Sequence, residues 1–326
     1  MRLIGLAVVL AVGLAFLPPV VEAQQTEKVH RVGFLGGASP TPYAHLVRAL
    51  REGLRDLGYV DGRNLIFEYR WAEGKYERLP ALATELVRLK LDVIVTQGVP
   101  AARAAKDATK TIPIVMAISG DAVATGLVTS IARPEGNITG STFFLPELNA
   151  KRVELLKGAL PRATRIACIA NRDNPAMRPV FDATEQRAKS LRVEHERVEI
   201  QGPDELPGAF SAMVKSRIDG VVVIDDGMLI ANARQVADLA TKHRLPTIGF
   251  REYVDAGGLF AYTVDFPAIW RRGAVFVDKI LKGAKPGDLP IEQATRFEFV
   301  INLRAAKALG LTIPPSLLLR ADQVIE

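Results

Sequence analysis

The stretch LDVIVTQGVPAARAAKDATKTIPIVMAI, Leu91–Ile118, decides the fold class. Its opening DVIVT is short, β-branched and continuous, as a strand buried on both faces by helices should be. QGVPAARAAKDATK reads as a loop and an alanine-rich helix, and IPIVMAI as the next strand. A strand, a helix and a strand in this order pair the two strands in parallel, with the helix crossing over the sheet.

Working outward, the same alternation continues. Upstream lie RVGFLG, a strand, and YAHLVRALREGLRDLGY, where Val47, Leu50, Leu54 and Leu57 fall at helical spacing and Gly58 stops the helix. NLIFEYR is a strand, and in LPALATELVRLKL the residues Leu79, Leu82, Leu86 and Leu89 repeat the helical period. A second series starts near Arg165 with RIACIA and runs through RVEHERVEI, DGVVVID, a helix around 234–243, and LPTIGF. It echoes the first: Leu91–Val95 leads to Ile112-Pro113 as Ile218–Val222 leads to Leu245-Pro246.

Three glycine- or proline-marked stretches lie between and after the series: NITGSTFFLPELNAKR, GGLFAYTVDFPAIW and KGAKPGDLPIEQATRFEFVIN. Each can carry the chain across. The expected fold is α/β, two doubly wound parallel-sheet lobes joined by a three-segment hinge, able to rock about a cleft. One lobe comprises residues 27–143 and 264–288, the other 144–263 and 289–326.

Composition and the N-terminus narrow the function. The 326-residue chain opens with MRLIGLAVVLAVGLAFLPPVVEA, a basic start, an apolar run and small residues at cleavage spacing. Residues 1–23 are therefore expected to be a signal peptide cleaved near Ala23. A membrane anchor would need about 20 apolar residues, and Pro18-Pro19 interrupt a shorter run. The formal charge of +6 survives removal of the leader, because Arg2 and Glu22 cancel. No basic run with interleaved aromatics and no recognition helix appears, so nucleic acid is not an expected partner. The single cysteine, Cys168, sits in the apolar run RIACIA and reads as core, which excludes an internal disulfide and a cysteine metal site.

In open parallel sheets, ligands bind beyond the carboxyl ends of the strands. The loops to watch are then 36–40, 96–101, 119–126, 171–175, 225–228 and 250–253. The opening loop, GFLGGASPTPY, lacks a P-loop lysine and the dinucleotide glycine spacing. Its Gly37 and Ser39 suit an anion at a helix start, or form a plain tight turn. Asp121 and Asp226 suit an ammonium group, or cap helices. Arg251 and Glu252 are neighbours, so only one of them can face a ligand. Among Trp71, Tyr76, Phe250, Tyr262 and Trp270, Phe250 is the first choice for the cleft and Trp71 the second. The four histidines are scattered, and neither H-E-x-x-H nor G-x-S-x-G occurs, so no catalytic residue, metal or cofactor is expected.

RVGFLGG, LREGLRDLGYVDGRNLIFEYRWAEG, RLPALATELVRLKLDVIVTQGVPAA, TGLVTSIARPEGNITG and FEFVINLRAAKALGLTIPPSLLLRADQVIE are arranged as in one family. The chain resembles the substrate-binding proteins of ABC transporters of the tryptophan/tyrosine type. The resemblance implies a type I periplasmic-binding fold and a non-enzymatic, monomeric receptor that hands a small organic solute, an amino acid or related carboxylate, to a membrane permease. By position it implies ligand-binding roles for Gly98, Pro100 and Ala101 (the family's G-T-P-A-A loop), Gly120 and Asp121 (its G-D-P), Asn171 and Asn174, Asp226, Glu252 and Asp265. Three departures alter the polarity of the implied pocket: Val99 for threonine, Ala122 for proline, and the charge added by Asp225-Asp226-Gly227. The alternatives are an effector-sensing regulator core of the cytoplasmic type, which would need a DNA-binding module where the leader stands, and an α/β enzyme.

Overall fold

A computed structural model describes residues 28–326; the leader read at residues 1–23 lies outside the described residues. The chain first lays down β1 (His30–Gly36), α1 (Pro40–Asp56), β2 (Leu65–Trp71), α2 (Leu79–Arg88), β3 (Val93–Gln97), α3 (Gly98–Ala108), β4 (Ile114–Ser119) and β5 (Ile138–Thr142). It then crosses into α4 (Leu145–Ala159), β6 (Arg165–Asn171), α5 (Met177–Ser190), β7 (Glu194–Ile200), α6 (Leu206–Lys215) and β8 (Gly220–Val223). The short α7 (Gly227–Ala231), α8 (Ala233–Lys242), β9 (Thr247–Gly249), α9 (Arg251–Asp255) and β10 (Phe260–Val264) complete this series. The chain returns for α10 (Phe266–Leu281) and β11 (Glu292–Gln293), then crosses once more to β12 (Phe297–Asn302), α11 (Leu303–Leu309), α12 (Pro315–Leu318) and β13 (Gln323–Ile325).

Two sheets result. The first has the order β11-β5-β4-β3-β1-β2 with every pairing parallel; the second has the order β13-β12-β10-β9-β8-β6-β7, parallel except where β10 meets β12. The alternating pattern of the sequence is thus realised twice, with one antiparallel pair that its chain order did not suggest. Every residue of β3 and of β4 is buried, which is why those segments read as unbroken apolar runs. The alanine-rich run starts its helix at Gly98 with no intervening loop. In α1 the buried stripe is Tyr43, Leu46, Leu50, Gly53 and Leu54, one step round from the Val47 and Leu57 expectation.

Local packing explains two small features. Gly140 adopts φ +128°, and a Cβ there would stand 2.2 Å from the Met116 carbonyl oxygen, so only glycine lets β5 lie this close to β4. Cys168 is fully buried, with its thiol pushed up to about 12 by burial. It is core, as its apolar context indicates.

The three crossings fall at 143–144, at Asp265 and at 294–296. The third is later than the expected 288/289 boundary, because β11 still pairs with β5 of the first sheet. Each hinge stretch therefore contains at least one sheet strand, and only the few residues that follow its first strand cross over. α10 packs against α1 and β4, so it belongs with the first sheet although it follows β10 of the second.

Candidate functional site

Beyond the carboxyl ends of both sheets lies a cavity of about 630 Å³, counting its mouth. From the first lobe it takes the ends of β1, β3 and β4: Gly37, Gln97 to Pro100, and Ile118 to Gly120. Tyr43 and Leu46 reach it from α1, Tyr76 from the turn before α2, Phe143 from the first crossing, and Phe266 and Trp270 from α10. The second lobe contributes Asn174 and Ala176 after β6, Asp225 to Gly227 after β8, Ile230 from α7, Glu252 from α9 and Leu145 from α4. Aromatic rings pave the first wall. Tyr43 and Trp270 lie 6.1 Å apart between ring centres, and Phe143 meets Phe266 edge-on at 5.8 Å.

Polar groups behind the rings are fixed by one another. The Gln97 side chain accepts from the Gly37 amide at 3.2 Å and donates to the Tyr43 hydroxyl at 3.3 Å. Across the cleft, the Tyr76 hydroxyl donates to Asp226 Oδ2 at 2.8 Å. Gly227 lets the lobes meet there, since a Cβ on it would stand 3.0 Å from the Tyr76 oxygen and 3.5 Å from Ala38.

The second lobe brings three carboxylates. Asp226, 3% exposed, also accepts from Asn174 Nδ2 at 2.9 Å, from the Met228 amide at 2.9 Å and from Asn171 Nδ2 at 3.3 Å. Burial raises its pKa against the pull of these donors. Asp225 is paired by the fully buried Arg152, which approaches through both terminal nitrogens and also donates to the carbonyls of Tyr262 and Val223. Glu252 Oε1 lies 3.8 Å from His45 Nε2 of the opposite lobe, while its buried Oε2 has no hydrogen-bond partner. Burial pushes the Glu252 carboxyl up to about 7, and the nearby Asp225 adds to the shift. Ser119 Oγ and Trp270 Nε1 are likewise buried without a partner. Such orphaned groups around a cavity are the groups a bound molecule would satisfy.

Of the residues expected from sequence, Gly37, Gly98, Pro100, Gly120, Asn174, Asp226 and Glu252 line this cavity. The others do not. Ser39 is the N-cap residue of α1 and lies on an outer groove. Ala101 is buried in the first turn of α3, because the helix begins where a loop was expected. Asp121 turns back to cap its own loop, accepting from the amides of Val123 and Ala124 at 3.0 and 2.9 Å. Asn171 stands behind the wall as a donor to Asp226. Phe250 is fully buried against Tyr253, and Trp71 packs on Phe34 at 4.8 Å. Asp265 caps α10 through the Ala268 amide at 3.0 Å. Of the neighbours 251 and 252, the glutamate faces the cavity while Arg251 binds Asp255 and Glu298 outside.

Sequence reading missed Tyr43, Phe143 and Phe266 as cavity residues, marked the loops holding Gln97 and Ser119 without singling those two out, and did not choose Tyr76 or Trp270 among its aromatics. Tyr43 carried a usable signal, a polar aromatic in the first helical turn after a glycine loop. Among the described residues no cluster of metal-ligating side chains occurs, and no helix is long and apolar enough to cross a membrane.

Comparison with known proteins gives a consistent picture. Residues 41–325 match the family described as ABC transporter substrate binding protein. A tyrosine-binding protein of Clostridioides difficile (strain R20291) is 30% identical over 261 residues, 80% of this chain and 75% of that one. A solved ABC domain from Streptococcus pneumonia in complex with L-Trp is 25% identical, covering 91% of this chain and 100% of that one, with a TM-score of 0.85. A ligand-free, open substrate-binding protein with adhesive properties from Clostridium difficile is 24% identical over 91% of this chain and 99% of that one. Its TM-score is only 0.65. At similar coverage and identity, the TM-score is higher against the L-Trp complex than against the ligand-free, open protein.

Proposed function

Because the chain belongs to the ABC transporter substrate-binding protein family, whose members bind and do not catalyse, we propose that it is the solute receptor of an ABC importer, exported by its first 23 residues. It works in the periplasm as a monomer. Its ligand is a small organic solute of amino-acid or amine type, held between the lobes and delivered to a membrane permease. The observation that carries this reading is the cavity lined by both lobes, in which Glu252 Oε2, Ser119 Oγ and Trp270 Nε1 are buried without partners. The relatives that bind tyrosine and L-Trp support a ligand of this size.

The roles follow from the chemistry of each wall. Tyr43, Phe143, Phe266 and Trp270 provide faces for an apolar body. Asp226 and Glu252 offer acceptors for an ammonium group. The Tyr76–Asp226 bond and the His45–Glu252 approach span the cleft. A solute that touches both walls stabilises the closed arrangement by the difference in its affinity for closed and open forms.

Native mass spectrometry of protein purified from a periplasmic extract tests this, together with thermal melting against a panel of amino acids, amines, organic acids and sugars. One bound small molecule and a raised Tm, with compaction in solution scattering, is the expected result. No bound molecule, no shift with any solute and an unchanged scattering profile would overturn it.

A further inference from the structure

The charge inside the cavity is one-sided. Asp225, Asp226 and Glu252 line it, and no lysine, arginine or histidine does. Arg152 neutralises Asp225 from behind. Asp226 receives only neutral donors. Glu252 has His45 at the rim and nothing on Oε2. The remaining charged groups near Glu252 are Asp255, which repels its charge, and Arg251, which is turned outward to Asp255 and Glu298. A negative, water-poor cavity attracts a cation and penalises an anion.

The other wall offers an anion only neutral donors: Ser119 Oγ and Trp270 Nε1, both without a partner, and first-turn amides of α3. The N-terminus of α3 reaches the cavity at 98–100, but Pro100 has no N–H and Val99 has only methyl groups where a hydroxyl could donate. Gln97 is committed to Gly37 and Tyr43.

We propose that this cavity selects an organic amine cation, with the ammonium seated on Glu252 Oε2 and the body between Tyr43 and Trp270, and that a carboxylate on the ligand weakens binding. The proposal rests on the receptor reading above and names its ligand class. An arylalkylamine is then a better ligand than the amino acid from which loss of carbon dioxide would make it.

Calorimetry at pH 8 with tryptamine, tyramine, L-tryptophan, L-tyrosine, indole-3-propionate and 4-hydroxyphenylpropionate tests it. The amines bind at least tenfold more tightly than the parent amino acids, and the two acids do not bind. Glu252→Gln lowers amine affinity at least tenfold and narrows the preference. As a check independent of that variant, amine affinity of the unaltered protein rises about tenfold from pH 6 to pH 8, since a carboxyl titrating near 7 must ionise while the amine stays charged. Amino acids binding as tightly as their amines would overturn the proposal, as would a preference unchanged in Glu252→Gln. If none of the six binds while another solute of the wider panel raises Tm, cation selection fails and the receptor reading stands. If no solute has any effect, both fail.

Discussion

The first lobe meets the cavity with Tyr43, Tyr76, Phe143, Phe266 and Trp270, and with backbone around Gly98 and Gly120; the second meets it with Asp225, Asp226, Glu252 and Asn174. The two lobes share a chain plan of parallel strands and crossover helices, yet one supplies rings and the other supplies all of the cavity's charged side chains. Separation of this kind makes closure matter. On the receptor reading proposed above, an open arrangement would hydrate the carboxylates, and closing the aromatic wall over them would exclude water and strengthen their field. Neither half makes the site alone.

The largest test attacks the charged half from behind. Arg152→Met strips the counter-ion from buried Asp225 and removes a donor from two carbonyls. Loss of the buried counter-ion should destabilise the protein by about 3–5 kcal/mol in urea unfolding, and adding Asp225→Asn should recover part of the loss. A loss below about 1 kcal/mol would mean that the pair does not hold the second lobe's charges in place.

Next comes Glu252. Its carboxyl titrates at about 7 in the folded chain against an ordinary value of 4.5, so between those values the folded state holds a proton that the unfolded state has lost. Stability of the ligand-free protein therefore falls as pH rises from 4.5 to 7, by roughly 3 kcal/mol, and is level above. His45, depressed by burial, opposes this weakly below pH 6.5. Melting curves at pH 5 and pH 8 should show the fall, and Glu252→Gln should reduce it and raise Tm at pH 8, the remainder coming from Asp226, which burial also raises. An unchanged slope in the variant would remove Glu252 from the charged wall.

Tyr76→Phe tests the bond that joins the halves. Loss of one donor to buried Asp226 should cost about 1.5 kcal/mol, roughly a tenfold drop in ligand affinity. Solution scattering of the ligand-free variant should give a larger radius of gyration than the unaltered protein. Smallest is Asp121→Ala, in the first lobe. It removes a turn cap worth roughly 0.5–1 kcal/mol and should leave ligand affinity unchanged. If affinity collapsed instead, the division into an aromatic half and an acidic half would be broken.

Asp121 and Asp226 show how far the site was legible. Each follows a buried strand, β4 or β8, and each fitted both capping and cation binding. Asp121 takes two amides of its own loop. Asp226 takes one such amide and three side-chain donors, from Asn171, Asn174 and Tyr76. The donors lie 52 to 150 residues away along the chain, and a local pattern carries no trace of them. Phe250 failed for the opposite reason: it lies in the chosen loop 250–253, but its side chain turned into the core. Glu252 was legible as one of a pair with Arg251, and only the outward partners of Arg251 decided which of the two faces in.

The sequence by itself determined the two α/β lobes, the strands buried on both faces, and the loops that cluster at one edge of each sheet. Those are local properties, set by apolar period and by where glycine and proline interrupt it. Only the tertiary structure decided which side chains share the cavity, that its charge is all on one wall, and that Tyr76 and His45 reach across to it. A side chain's direction and its distant neighbours depend on how the elements pack, and packing is a property of the whole chain.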